Sequence, residues 1–133
     1  MRDATPLPKI DPLNQPFWDA ARAGKLVVQT CRACGGAHFP PSPVCPECLA
    51  PDQTWREASG RGTLESWIEM HRAYWDGFRD ALPYSVCLVR LEEGPLLVSN
   101  LVGEAAGAKL GAAVRVVFEP VTETVTLPKF TLA

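Results

Sequence analysis

Apolar and polar positions divide the chain into a proline-studded first third and a β-patterned remainder. In the first part Phe17, Ala20, Ala21 and Gly24 recur at helical spacing. Asn14 is a good N-cap, Pro16 suits a first turn and Gly24 suits the position just past the last turn, which predicts a short helix. Trp18 beside Phe17 makes its aromatic face wider than one stripe, so one ring is expected to pack and the other is free to dock a partner. Residues 25–30 read as a strand, and residues 37–41 as a return strand stopped by Pro40 and Pro41. Residues 55–60 read as a linker. Five stretches with strand patterning follow, at 62–70, 83–91, 95–102, 113–119 and 125–130. The alternation is clearest at Val114, Val116 and Phe118. Glu92-Glu93-Gly94 reads as a solvated hairpin turn, and Pro128 marks a strand end or a sheet edge. Five short strands, with an insertion over 103–111, match a small closed barrel of the oligonucleotide/oligosaccharide-binding (OB) kind.

Composition bounds this picture. A chain of 133 residues makes one domain or two very small ones, and 47% hydrophobic residues are enough for a core. No apolar run approaches the length of a membrane span. With 13 Lys and Arg against 15 Asp and Glu, the net charge of −2 lacks the basic field of a nucleic-acid binder. Residues 1–13 read as an extended arm. Met1-Arg-Asp-Ala-Thr-Pro6 lacks the apolar segment of a signal peptide, so a reducing cytoplasm is expected.

Two cysteine pairs carry the clearest chemistry: Cys31-Arg-Ala-Cys34 and Cys45-Pro-Glu-Cys48. Four thiols in two such knuckles are what one tetrahedral zinc ion takes. Two disulfides are disfavoured by the expected compartment, and a single redox pair leaves the second pair unexplained. Four thiolates leave no open coordination position, so the zinc is structural rather than catalytic. His38, between the pairs, is an alternative ligand that four cysteines make unnecessary. Strand, knuckle, strand, knuckle is a zinc ribbon of rubredoxin type, too small to fold without its metal. Cys87 sits in an apolar run and reads as a small buried hydrophobe. The organisation expected is therefore an arm and helix over 1–24, a ribbon over 25–54 and a barrel over 55–133.

Outside the cysteines, no catalytic set is legible. His38 and His71 lie in no recognisable motif. Glu65 and Glu69, four apart in a strand, are expected on one face. Gly60-Arg-Gly62 lacks the lysine and following helix of a phosphate loop, and reads as a turn into the barrel. Arg61 is nonetheless suited to a phosphate contact. The segment 71–82 joins the first two barrel strands, with Tyr74, Phe78 and Leu82 at i, i+4, i+8 and Trp75, Arg72 and Arg79 alongside. It reads either as a short helix capping the barrel or as a contact surface, since these residue types are enriched at interface cores.

The ordered set of motifs resembles the DUF35 family. The matching residues are Phe17-Trp18, Gly24-Lys-Leu, Gln29-Thr-Cys-Arg-Ala-Cys-Gly35, Pro40-Pro41 and Cys45-Pro-Glu-Cys48. They continue through Gly60-Arg-Gly-Thr-Leu-Glu-Ser66, Pro83-Tyr84, Leu91-Glu-Glu-Gly94, Gly111-Ala-Ala-Val114 and Leu127-Pro-Lys-Phe130. The resemblance implies a mainly β chain: a helix, a rubredoxin-like ribbon and a five-stranded OB barrel. It also implies a non-catalytic accessory subunit that bridges or shapes the acyl-CoA site of a thiolase-like thiolase or aldolase. A nucleic-acid-binding module and a stand-alone acyl-CoA-binding protein are the alternatives. Candidate contacts for partner or coenzyme are Phe17, Trp18, Arg61, Arg72, Tyr74, Trp75, Phe78 and Arg79.

Overall fold

The computed structural model describes residues 6–104 and 106–133. The first five residues of the expected arm lie outside that range, and residues 6–10 carry no helix or strand. Among the described residues the chain then runs through one α-helix, α1 (Gln15–Arg22), a 3₁₀ helix (Asp76–Ala81) and eight strands. These are β1 (Val27–Cys31), β2 (Ala37–His38), β3 (Gln53–Glu57), β4 (Arg61–Met70), β5 (Tyr84–Leu91), β6 (Leu96–Leu101), β7 (Ala113–Pro120) and β8 (Thr126–Leu132).

Helix α1 ends as the sequence predicts. Gly24 has φ +78, Lys25 N–H bonds to Ala20 O at 2.9 Å and Gly24 N–H to Ala21 O at 3.0 Å. This is a Schellman stop, and it satisfies carbonyls the helix leaves open. The start differs from expectation. Asn14 stands at the N-cap but makes no side-chain cap bond. Its Oδ1 instead accepts Asp11 N–H, and Asp11 Oδ1 accepts Asn14 N–H, both at 2.8 Å. This reciprocal clamp fixes the turn ahead of the helix. Phe17 and Ala21, one turn apart, are its buried face.

The ribbon sheet has three strands in the order β2-β1-β3, antiparallel throughout. Trp55, Arg56 and Glu57, read from sequence as linker, lie on β3 and pair with Gln29, Val28 and Val27. They read poorly as a strand because β3 is half exposed and shows no alternation.

The remaining five strands close into a barrel in the order β4-β5-β6-β8-β7, with β7 returning to β4. This is the OB arrangement. Its core is Leu64, Val89, Leu91, Val114 and Phe130, continuous with Phe17, Leu26 and Val28 of the helix and ribbon. Gly62 is needed at the β4–β5 contact: a Cβ there would lie 2.5 Å from Arg90 O. Gly60 has φ +82, and its Cβ would lie 2.6 Å from a Val116 methyl carbon. The glycines of Gly60-Arg-Gly62 therefore serve close strand approach, as the turn reading expects.

Two features shape the surface. The β4–β5 register skips Glu65, passing from Leu64↔Val89 to Ser66↔Leu88. This bulge shifts the strand's alternation by one residue. Glu65 bonds Arg90 at 3.1 Å, whereas Glu69 stands opposite Ser85 and lines a cavity with it. The two carboxylates do not share a face as a regular strand would require. Secondly, β6 and β8 run parallel and share a single ladder pair, Leu101↔Phe130. Pro128 falls in mid-strand rather than at an end, paired with Phe118 of β7 and lying where β8 has no ladder partner in β6.

Candidate functional site

The four knuckle sulfurs lie within 4.8 Å of one another. Cys31 and Cys48 sulfurs are 3.6 Å apart, as are those of Cys34 and Cys45. Sulfurs bonded to one tetrahedral zinc stand about 3.8 Å apart at the usual bond length. Each knuckle is closed by the same backbone bond: Gly35 N–H to Cys31 O and Leu49 N–H to Cys45 O, both 2.8 Å. The residue that follows each pair adopts positive φ, +77 at Gly35 and +64 at Leu49. The donor set is all thiol, two buried and two exposed, and it is positioned to bind a zinc ion.

Electrostatics support the same conclusion. The Cys34 N–H favours the Cys31 thiolate and lowers its pKa to about 7. At Cys48 the Ala50 N–H also favours the thiolate, but the Cys31 sulfur, burial and the Cys34 and Cys45 sulfurs together outweigh it, and the pKa rises to about 12. Four sulfurs this close cannot all carry charge alone, whereas a dication stabilises all four as thiolates. His38 takes no part. It is buried, with Nδ1 3.3 Å from Pro40 O and Nε2 3.2 Å from Gln53 Oε1, so it braces β2 against β3. Cys87 is buried among barrel strands, and burial pushes its pKa up to about 11.

The candidate contact residues fall into three groups. Phe17 is buried against Phe39 and Trp18, at ring distances of 5.2 and 5.0 Å, and is a packing residue. Trp18 stays half exposed at the junction of helix and barrel. Arg61 is held by Glu92, with Nε to Oε1 at 3.0 Å and Nη2 to Oε2 at 3.3 Å. Glu92 and Glu93 both reach back to Ser59, each at 2.9 Å, so the hairpin turn is a clasp on the start of β4 rather than a freely solvated loop.

The third group lies in residues 71–82. This segment is not the α-helix that its i, i+4, i+8 spacing predicts. It forms a 3₁₀ helix over Asp76–Ala81, and Tyr74 and Trp75 precede it. Trp75 as N-cap is extended, so the three spaced residues do not share one helical face. Tyr74 is 63% and Trp75 59% exposed. Arg72 stacks over the Tyr74 ring at 5.2 Å, and Arg79 pairs with Asp76 at 2.8 Å. Trp75, Phe78 and Tyr84 form a chain of ring contacts leading to the barrel wall.

Sequence reasoning missed two further features. One is the outer face of β4, β5 and β6, where the rows Ile68–Val86–Asn100 and Ser66–Leu88–Val98 carry no charge. Ile68 is 58% and Val98 69% exposed. Apolar residues on both faces of these strands were the available signal. The other is a groove along the β6–β8 seam. Cavities of about 460, 320 and 200 Å³ all have Asn100 and Lys129 in their walls.

Comparison with known proteins gives a consistent result. A family profile described as the rubredoxin-like zinc ribbon domain of ChsH2 matches residues 18–52, and one for the ChsH2 C-terminal OB-fold domain matches residues 55–119. A probable enoyl-CoA hydratase alpha subunit of Thermomonospora curvata is 38% identical over 126 residues, covering 94% of this chain. The chain spans only 39% of that protein's length. A DUF35 domain-containing scaffold protein of Methanothermobacter thermautotrophicus is 34% identical over 100 residues, 74% of either chain. A solved structure described as an Ltp2-ChsH2(DUF35) aldolase superposes with a TM-score of 0.83 at 37% identity, over 95% of this chain and 98% of the other.

Proposed function

The chain belongs to the DUF35 family, and from that premise we propose that it is a zinc-binding accessory subunit of a thiolase-like enzyme, a thiolase or an aldolase, acting on acyl-CoA. It bridges or shapes the acyl-CoA site and leaves the bond-making chemistry to its partner. The observation that carries this reading is the end-to-end likeness to a chain of a structure described as an aldolase. The hydratase name of another relative supports acyl-CoA as the substrate class.

The chemistry of the site agrees. Zinc closed by four thiolates has no position for substrate. Among the described residues, His71 is bonded to Glu69 at 3.0 Å and His38 to backbone and amide oxygens, and neither adjoins Cys87. Such a chain acts through its surfaces. The uncharged outer face around Ile68 and Val98 and the exposed rings of Tyr74 and Trp75 are the docking candidates, because exposed apolar area and aromatic anchors supply interface energy. Trp18 borders the same region, while Phe17 packs inside it. Arg72 and Arg79 stand at its rim, each already engaged, whereas Arg61 lies apart, on the β4–β7 side, held by Glu92.

The test is reconstitution. The zinc-loaded chain is mixed with a purified thiolase-like subunit of its own source, and the mixture is resolved by size-exclusion chromatography with light scattering. A stoichiometric complex supports the reading. Two separate peaks at micromolar concentrations with every candidate subunit contradict it.

A further inference from the structure

Arg115 of β7 stands directly opposite Arg61 of β4, in one of the register pairs that close the barrel. Like charges so placed repel each other. Together with Arg90 of β5 they rim a cavity of about 640 Å³, whose walls also include Gly62, Ala113 and Val114. Gly62 and Val114 are buried, so the cavity has an apolar floor under a rim of exposed arginines.

The carboxylates around this groove are unevenly placed. Arg61 is forked onto Glu92, at 3.0 and 3.3 Å. Arg90 bonds Glu65 at 3.1 Å and Gly94 O at 2.9 Å. Glu93, behind them, accepts Ser59 N–H at 2.9 Å. The carboxylate of β7 itself, Glu119, pairs with Lys129 at 2.7 Å. Among the described residues Arg115 has no carboxylate partner. The β4–β5 wall is thus neutralised, while the β7 wall presents a guanidinium with no acid against it.

That asymmetry selects a ligand. A guanidinium fork takes one carboxylate through two parallel bonds. A dianion would bring its second charge toward Glu92, so a single carboxylate on an apolar body fits best. One exposed ion pair contributes too little to hold a free acid by itself, so the carboxylate belongs to a larger surface. Such a surface has room to lie here. Arg90 shares a face of β5 with Leu88, two residues away, and pairs with Leu96, which neighbours Val98 in the same way on β6. A protein seated on the uncharged rows of β5 and β6 therefore reaches the groove along these strands.

We propose that the β4–β7 groove is a docking socket for an aspartate or glutamate side chain of the catalytic partner, with Arg115 taking the carboxylate and the floor taking its apolar neighbours. The inference rests on the accessory-subunit reading above and deepens it, by giving the partner's surface a charge and a place to put it.

The experiment measures the affinity of the zinc-loaded full chain for the thiolase-like subunit by calorimetry, at about 0.05 and about 0.5 M sodium chloride. Arg115→Ala is expected to weaken the complex by about tenfold at low salt, because the complex covers the pair, and Arg115→Glu by more. The loss of affinity on adding salt should be smaller in Arg115→Ala than in the native chain. Arg56→Glu makes the same charge change at an exposed site on β3 and should leave affinity within about twofold. These side chains are exposed, so the variants should melt with the native chain. Native affinity in Arg115→Glu, or an equal loss in Arg56→Glu, overturns the socket while the accessory-subunit reading stands. If the native chain forms no complex, that reading fails and the socket fails with it. Sodium octanoate titrated into the chain alone tests a free acid as occupant, and no binding is expected. Saturable binding that Arg115→Ala abolishes would make the groove a small-acid site and overturn the docking assignment.

Discussion

Ser99 donates its hydroxyl to the carbonyl of Pro128 at 2.8 Å, across the seam where β6 and β8 have parted. This side-chain bond does there what a ladder bond does elsewhere, and it lets the barrel close in topology while staying open in its wall. Phe17 and Trp18 from α1 lie against the outside of that opening. The helix and ribbon thus sit where a groove needs walls, and the zinc ion holds the ribbon that carries them.

Removing the metal should test that dependence first. Cys48→Ser takes one of four ligands from a ribbon whose own hydrophobic contribution is small, and structural zinc in such modules contributes on the order of 10 kcal/mol of folding energy. The variant is expected to lose zinc by atomic absorption. Amide exchange over residues 27–57 should rise steeply, while β4 to β8 keep slow exchange. Chelation of the native chain should give the same pattern. Lowering the pH should favour release, since protons compete with zinc for thiolates.

Much of this architecture is legible in the sequence, and the exceptions share a physical cause. The knuckles, the Gly24 stop and the five barrel strands follow from local chemistry: thiol spacing, a positive φ, and two-residue alternation. The bulge at Glu65 is invisible locally, because an extra residue shows only against the partner strand. The third ribbon strand was read as linker because Trp55 to Glu57 gain their partners from β1, not from their own pattern. The 71–82 segment has helical spacing but takes the 3₁₀ form, so periodicity misassigned Tyr74, Phe78 and Leu82 to one face. Asn100 and Lys129 stand out only once β6 and β8 are adjacent and separate again.

Two glycines should respond differently to alanine. At Gly62 a methyl group would press on Arg90 O at 2.5 Å and on a Val89 methyl carbon at 2.8 Å, so strands must move apart. Gly62→Ala is expected to cost about 3 kcal/mol. At Gly24 nothing lies within 4 Å, and only the φ of +78 is unfavourable. Gly24→Ala should cost about 1 kcal/mol. Urea unfolding of the two variants reads the difference, and equal losses would show that packing at Gly62 is not tight.

Cys87 offers a pH signature. Its thiol is raised from 9.0 to about 11 in the fold. A group whose folded pKa lies above its unfolded value stabilises fully below the unfolded value. That stability is lost as pH rises from about 9 through about 11. Thermal melts of the zinc-loaded chain should therefore fall across this window, and the Cys87→Ala variant should fall less. At pH 8 iodoacetamide should leave Cys87 unmodified in the folded chain and modify it in urea, as read by peptide mass spectrometry.

Trp75→Ala separates docking from capping. The ring is 59% exposed and touches Phe78 edge-on at 6.5 Å, so its loss should shift the melting temperature by no more than about 2 °C. If Trp75 anchors the partner, affinity for the thiolase-like subunit should drop by about tenfold or more. A melting temperature lowered by many degrees, with affinity unchanged below the melt, would make the ring a cap.

The central claim is that this chain supplies surfaces and not chemistry. Steady-state turnover of a β-hydroxyacyl-CoA and of a β-ketoacyl-CoA with coenzyme A tests it most directly, using the zinc-loaded chain alone, the thiolase-like subunit alone, and the two combined. The account predicts no turnover by this chain alone and a raised kcat/KM when the two are combined. Turnover by this chain alone, persisting when the partner is absent and lost on substitution of one of its own side chains, would contradict it.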